Sequence, residues 1–191
     1  MPGTNRGFGA VLDFWFGTPR GESRAQWFRK DERFDEEIRR RFGDVHAAAA
    51  RRELEDWRGA RESMLALVIV LDQFSRNLYR HDRRAFAQDG HARDCAGEAL
   101  LRGDDKESLP VERQFLYLPF EHSEDRADQV LAVSLMSQLE EYPETRGLSQ
   151  WALKHQVIVE RFGRFPHRNA ILGRASTPEE TEFLKTPGSG F

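Results

Sequence analysis

The sequence is poor in the features that most directly name a function. It has one cysteine, Cys95, in 191 residues, which excludes an intramolecular disulfide framework and a cysteine-based structural zinc site. On a helix, a lone thiol reads as a small buried hydrophobe in a reducing compartment. The longest unbroken apolar run, Met64 to Leu71, is far shorter than the roughly 20 residues of a membrane helix. The opening MPGTNRGFG has no hydrophobic signal core, so a cytoplasmic protein with no membrane partner is expected. With 15 Gly and 8 Pro the chain is neither collagen-like nor of low complexity. H-E-x-x-H, Walker, GxGxxG and GxSxG patterns are missing. No cofactor and no metal is implied. A net charge of -3 argues against a nucleic-acid partner.

Lysine is scarce too. Of 29 basic residues, 25 are Arg and 4 are Lys. Either codon usage sets that ratio, or planar guanidinium forks are wanted for carboxylate or phosphate. Charge is uneven along the chain. Asp104 to Glu144 holds 11 acids against Lys106, Arg113 and Arg126, whereas Arg161 to Arg174 holds four arginines and no acid. The two segments can pair with each other.

With 39% hydrophobic and 32% charged residues and a mean hydropathy of -0.69, the chain reads as one soluble domain over 1–191, with 1–8 and 187–191 frayed. Helical spacing dominates and strand alternation is scarce. Val11 to Phe16 reads as a short helix closed by Gly17 and Pro19. Asp31 caps a second, with Phe34, Ile38 and Phe42 at steps of four and Gly43 as its stop. A weaker helix covers Val45 to Arg52. Residues 62–80 form the most buried helix, with a stripe of Leu67, Leu71, Phe74 and Leu78. A helix over 83–102 ends at Gly103, and Leu109 to Pro119 is a short apolar segment between prolines. Ser123 caps a helix to about Glu140. Leu148 to Phe162 closes at Gly163, and Thr177-Pro178-Glu179-Glu180 is a capping box opening a last helix. The sum is an all-α antiparallel stack of seven to nine helices.

Three polar clusters interrupt the apolar pattern. In the first, Asp72 and Arg76 are four apart on a central helix, with Asn77 beside them and Arg80 continuing the row. Buried charges there must be fully paired, as an internal network or as the wall of a pocket. The second is Glu121-His122-Ser123-Glu124-Asp125 at a helix start, where His122 and Asp125 can orient each other, Glu121 and His122 can contribute to a metal, or the histidine serves as a capping or packing residue. The third runs from His155, in the apolar stripe of Trp151, Ile158 and Phe162, through Arg164, His167, Arg168 and Asn169 to Arg174. Arginines around a Gly-Pro turn and a helix start suit an anion. They equally suit helix C-terminal carbonyls and the acids of Asp104 to Glu144.

The strings DFWFG (13–17), WF (27–28), LDQFSRNLYR (71–80), AFAQD (85–89), LPFEHSED (118–125), His155, FGRFPHRN (162–169), LGR (172–174) and STPEE (176–180) carry a resemblance to a bacterial family of unknown function, family 924. That family is grouped with tetratricopeptide-like α/α superhelical folds. One departure is Phe120-Glu121, where an apolar residue such as methionine is expected in relatives. The resemblance implies an antiparallel helical stack and no particular reaction.

Two functions follow from the residues. One is a binding protein for an anionic small molecule or an acidic peptide end, held among Asp72, Arg76, Asn77, His122, His155, Arg164, His167, Arg168 and Asn169. The other is a hydrolase or transferase on a phosphorylated or carboxylated metabolite. It would use His155 or His122 as general base, oriented by Asp72 or Asp125, with Arg164 and Arg168 stabilising charge. The same clusters can also serve only to tie helices together.

Overall fold

A computed structural model describes residues 7–190. Among these residues every regular element is helical and no strand occurs. The helices are α1 (Phe8–Phe16), α2 (Glu32–Ala50), α3 (Arg61–Ile69), α4 (Ser75–Leu78), α5 (Asp89–Arg102), α6 (Pro110–Glu121), α7 (Arg126–Ser137), α8 (Leu148–Phe162), α9 (Asn169–Leu172) and α10 (Pro178–Phe183). Of the ends expected to fray, residues 1–6 and 191 lie outside the described residues. Phe8 opens α1, and Ser189 N donates to Thr186 O at 3.2 Å.

The core forms around α3, on which Ser63 through Ile69 are all buried. Aromatic rings from distant segments close over it. Trp15 is fully buried and meets Phe74 and Phe115 edge-on, at centroid distances of 5.6 and 5.4 Å. The Trp27 indole N–H donates to the Trp15 carbonyl at 2.9 Å, which satisfies a polar edge that burial would otherwise leave costly. Cys95 is fully buried among apolar side chains, and burial pushes its thiol up to about 11.

Several local expectations are met. Asp31 accepts from the backbone N–H of Arg33 and Phe34, Gly163 closes α8 at φ 70°, and Thr177 with Glu180 forms the capping box of α10. Others need correction. Gly43 does not stop α2, which absorbs the separate helix expected over Val45 to Arg52. Val45 and Ala49 extend the buried face begun by Phe34, Ile38 and Phe42, and that burial outweighs the roughly 1 kcal/mol cost of an interior glycine. The cap of α7 is Asp125, whose carboxylate accepts from Ala127 N and Asp128 N; the Ser123 hydroxyl accepts from Asp125 N one turn earlier. The helix expected over 83–102 is broken. A 3-10 turn, Arg83–Phe86, precedes α5. Leu109 to Pro119 is helical, with Pro110 in its first turn and Pro119 inside it. Trp151 is half exposed rather than part of the buried stripe.

One deviation could not be read from spacing. Between α3 and α4, residues Val70–Phe74 form a turn of π-helix. An inserted residue widens the helix there and re-aims its side chains, a device common at functional sites. Asp72 lies within it.

Candidate functional site

The π turn presents the Asp72 carboxylate to α6, with 1% of the residue exposed. Its Oδ1 accepts from His122 Nδ1 at 2.8 Å, and its Oδ2 accepts from the Gln73 amide at 2.6 Å. Arg76, one turn on, is 3.0 Å from Oδ1 and also donates to the Asp72 carbonyl at 2.9 Å. The same fork, through Nη1 and Nη2, holds Asp89 of α5 by two bonds of 3.0 and 3.2 Å. Burial alone would raise the Asp72 carboxyl, but Arg76, His122 and Gln73 hold it well below the usual range. Burial and the nearby Arg76 charge lower the His122 imidazole despite Asp72. The result is an ionised carboxylate beside a neutral imidazole.

Arg168 comes from a 3-10 turn, Pro166–Arg168, that follows Gly163. Phe165-Pro166 forces the chain out of α8 and turns this side chain inward. The residue is only 6% exposed, and its guanidinium lies over Phe86 and Phe165 at 4.7 and 4.5 Å from the ring centres. It donates no hydrogen bond to any described residue. Its buried Nε has no acceptor, and its nearest carboxylate, Asp89, stands 3.5 Å away. Burial and Arg76 push its pKa down to about 10, so it remains a cation at neutral pH.

In front of these groups is a cavity of about 570 Å³. His122, Arg168 and Asp89 line it, with Phe86, Ala87, Pro119 and Leu172 as an apolar wall, and Arg83, Arg84, Arg93 and Glu124 complete it. Arg93 is tied to Asp128 at 2.9 Å and Arg84 to Asp82 at 2.8 Å. Arg83 pairs with no described carboxylate within ion-pair distance and is exposed. Of the four arginines in the lining, Arg84 and Arg93 are thus offset by acids, and Arg83 and Arg168 are left to attract an anion, while Asp72 and Arg76 offset each other behind the cavity.

His155 stands behind this wall. Its Nδ1 is 2.9 Å from the Trp151 carbonyl and 3.0 Å from Glu121 Oε1, and its ring centre is 6.3 Å from that of His122. Burial lowers His155 to about 3. Burial, with Asp72 adding to it, raises Glu121 to about 8, so both groups are mainly neutral at pH 7.

The nine sequence-derived residues therefore separate. Asp72, Arg76, His122 and Arg168 converge, with His155 adjacent. Asn77 points elsewhere and donates to Asp35 at 2.7 Å, a carboxylate shared with Arg80. Arg164 is taken by Glu180 through bonds of 2.7 and 2.8 Å, and the Asn169 amide donates to Ser176 and Glu180. His167 packs at a tilt against Phe165, with ring centres 5.6 Å apart, and burial lowers it to about 4. The acidic stretch does pair with the arginine-rich one, but through Arg174, which grips Glu124 at 2.7 and 2.9 Å. Asp125 caps α7, so Asp72 is the residue that orients His122. Sequence reasoning gave no role to Phe86, Asp89 or Arg93. The AFAQD string (85–89) was the available signal: it puts an acid directly at the start of α5.

A model of a bacterial protein family of unknown function, DUF924, matches residues 11–188. The chain is also similar to the solved structure of a protein of unknown function from Agrobacterium tumefaciens. The two share 46% identity over 93% of this chain and 96% of that one, with a TM-score of 0.84. No match is found among curated proteins.

Proposed function

The chain belongs to the bacterial DUF924 family of proteins of unknown function, and we propose that it binds a small anionic molecule in the cavity between α5, α6 and the Pro166–Arg168 turn. The observation that carries this reading is Arg168. A guanidinium has five donors and no acceptor. Burying it without hydrogen-bond partners is unfavourable unless a ligand supplies them. Phosphate and carboxylate oxygens match its planar fork. The roughly 570 Å³ of space is within the range of small-molecule sites. It suits a metabolite whole and an acidic peptide only by its end. Arg83, which pairs with no described carboxylate, adds positive charge at the mouth that raises the local concentration of anions.

A second reading makes the ligand a substrate. The Asp72–His122 pair favours it, because a carboxylate that fixes one imidazole nitrogen leaves the other to act as a general base. His122 takes that role ahead of His155, since it lines the cavity. We place the protein in the cytoplasm on its single buried thiol. We group its fold with tetratricopeptide-like stacks on the packing of α5 on α6, α6 on α7 and α7 on α8.

The test is a thermal-shift screen of anionic metabolites on wild type and on Arg168→Ala. A ligand at 100 times its Kd adds about 2.7 kcal/mol of stability. The reading expects phosphorylated or carboxylated compounds to shift wild type and to leave the variant unmoved. Shifts of equal size in both proteins would overturn it.

A further inference from the structure

Of the imidazoles, His122 lines the cavity, and what it offers there follows from its other nitrogen. Nδ1 lies 2.8 Å from Asp72 Oδ1. A carboxylate only accepts, so Nδ1 carries the proton and donates it. Asp72 stays ionised because Arg76 stands 3.0 Å from one oxygen and the Gln73 amide donates to the other at 2.6 Å. A neutral ring protonated on Nδ1 has a lone pair on Nε2. That nitrogen is the one left for the cavity, and it meets a ligand as an acceptor.

The charged and titratable groups around His122 come from every neighbouring element. They are Asp72 on the π turn, Arg76 on α4, Asp89 on α5, Glu121 on its own helix, Glu124 just beyond it, His155 on α8, and His167 with Arg168 on the 3-10 turn. Burial and Arg76 together lower the ring's proton affinity, which keeps it neutral near pH 7.

A ligand drawn in by Arg168 thus faces two different demands. The guanidinium wants an anionic oxygen, and the imidazole wants a hydrogen. A fully deprotonated oxyanion satisfies the first and sets oxygen against a nitrogen lone pair at the second. An oxyanion that carries its own hydroxyl satisfies both.

Resting on the anion-binding reading above, we infer that this site takes phosphate, free or as a monoester with a protonated oxygen, in preference to fully ionised tetrahedral anions, and that His122 Nε2 is the acceptor that discriminates. Arg168 attracts the negative oxygens, and the P–O–H group donates to His122. Sulfate has nearly the same shape but lacks the hydrogen.

Calorimetric titration of wild type with inorganic phosphate and with sulfate at about pH 6 tests this, because an unpaired polar contact is worth about tenfold or more in affinity. Phosphate is expected to bind at least about tenfold more tightly than sulfate. In His122→Gln, whose amide can donate as well as accept, the ratio is expected to fall to within about threefold. Should that variant not fold, a wild-type pH series decides. Acidification gives His122 a second proton, so sulfate binding rises and the phosphate preference shrinks. Equal affinities in wild type, with both anions lost in Arg168→Ala, would overturn the discrimination and leave the anion site standing. Binding of neither anion would overturn the phosphate assignment and leave the anion-binding reading to the carboxylated compounds of the thermal-shift screen.

Discussion

Arg168 meets Asp89 at 3.5 Å, through a carboxylate that Arg76 already holds by two hydrogen bonds of 3.0 and 3.2 Å. One acid is shared by two guanidinium groups, and the second receives the poorer share. That imbalance leaves a buried cation facing a cavity, and it has measurable consequences.

Asp89→Asn removes the shared charge. Both arginines then lose their common partner, and folding stability is expected to fall by about 1–3 kcal/mol. Added phosphate should recover part of the loss, since an anion beside Arg168 replaces negative charge that the substitution removes. Urea titrations with and without phosphate measure both effects. A loss that phosphate does not touch would mean that the anion does not sit beside Arg168.

Asp72 is a different case, because its removal strands the His122 Nδ1–H and takes from Arg76 one of its two carboxylates. Asp72→Asn leaves Arg76 and the His122 Nδ1–H facing an amide, and a broken buried pair costs about 3–5 kcal/mol. Urea denaturation of the variant reads that loss directly. A change of under about 1 kcal/mol would show that the Asp72 network contributes no more than a surface ion pair.

Between about pH 6.5 and 8 stability should decline, and Glu121 sets the sign. Its folded value is raised from 4.5 to about 8. The stability tied to its proton is complete below 4.5 and is lost as pH rises through about 8. His155 works in the opposite direction. Lowered from 6.5 to about 3, it adds stability as pH climbs from about 3 to 6.5 and nothing beyond. Glu121→Gln is therefore expected to flatten the pH–stability curve above about 6.5. Thermal melts across that range give the curve, and an unchanged slope in the variant would refute the assignment.

The C-terminal network is predicted to be separate from the cavity. Arg164→Ala leaves Glu180 without its bidentate partner, and limited proteolysis should cut more readily within residues 174–186. Phosphate binding should match wild type. Loss of binding in this variant would return Arg164 to the site.

Much of the architecture was legible because it is written locally. Asp31, Gly163 and the Thr177 box act within one turn of their own position, so type and spacing suffice. Asp72 and Arg76 could be paired from their separation of four. The features that failed depend on distant segments. Asn77 looks like a site residue until Asp35, 42 positions away, takes its amide. Gly43 looks like a stop until the burial of Val45 and Ala49 is known. Arg164 and Arg168 are alike in sequence. Their difference lies in whether a carboxylate reaches them: Glu180 grips the first, and Asp89 is already committed to Arg76. The π turn that aims Asp72 at His122 leaves no periodic signature, since a single inserted residue is invisible in so short an apolar run.

A structural arginine and a binding arginine respond differently to an apolar replacement, and Arg168→Met separates them most directly. Methionine fills the slot between Phe86 and Phe165 without a charge. Replacing a poorly paired buried ion by a well-packed apolar side chain is often neutral or stabilising, by about 1–4 kcal/mol. Urea denaturation of wild type and Arg168→Met, each with and without phosphate, is the decisive measurement. The account predicts a variant at least as stable as wild type without phosphate and no longer stabilised by it. A strongly destabilised variant that phosphate still stabilises would contradict it.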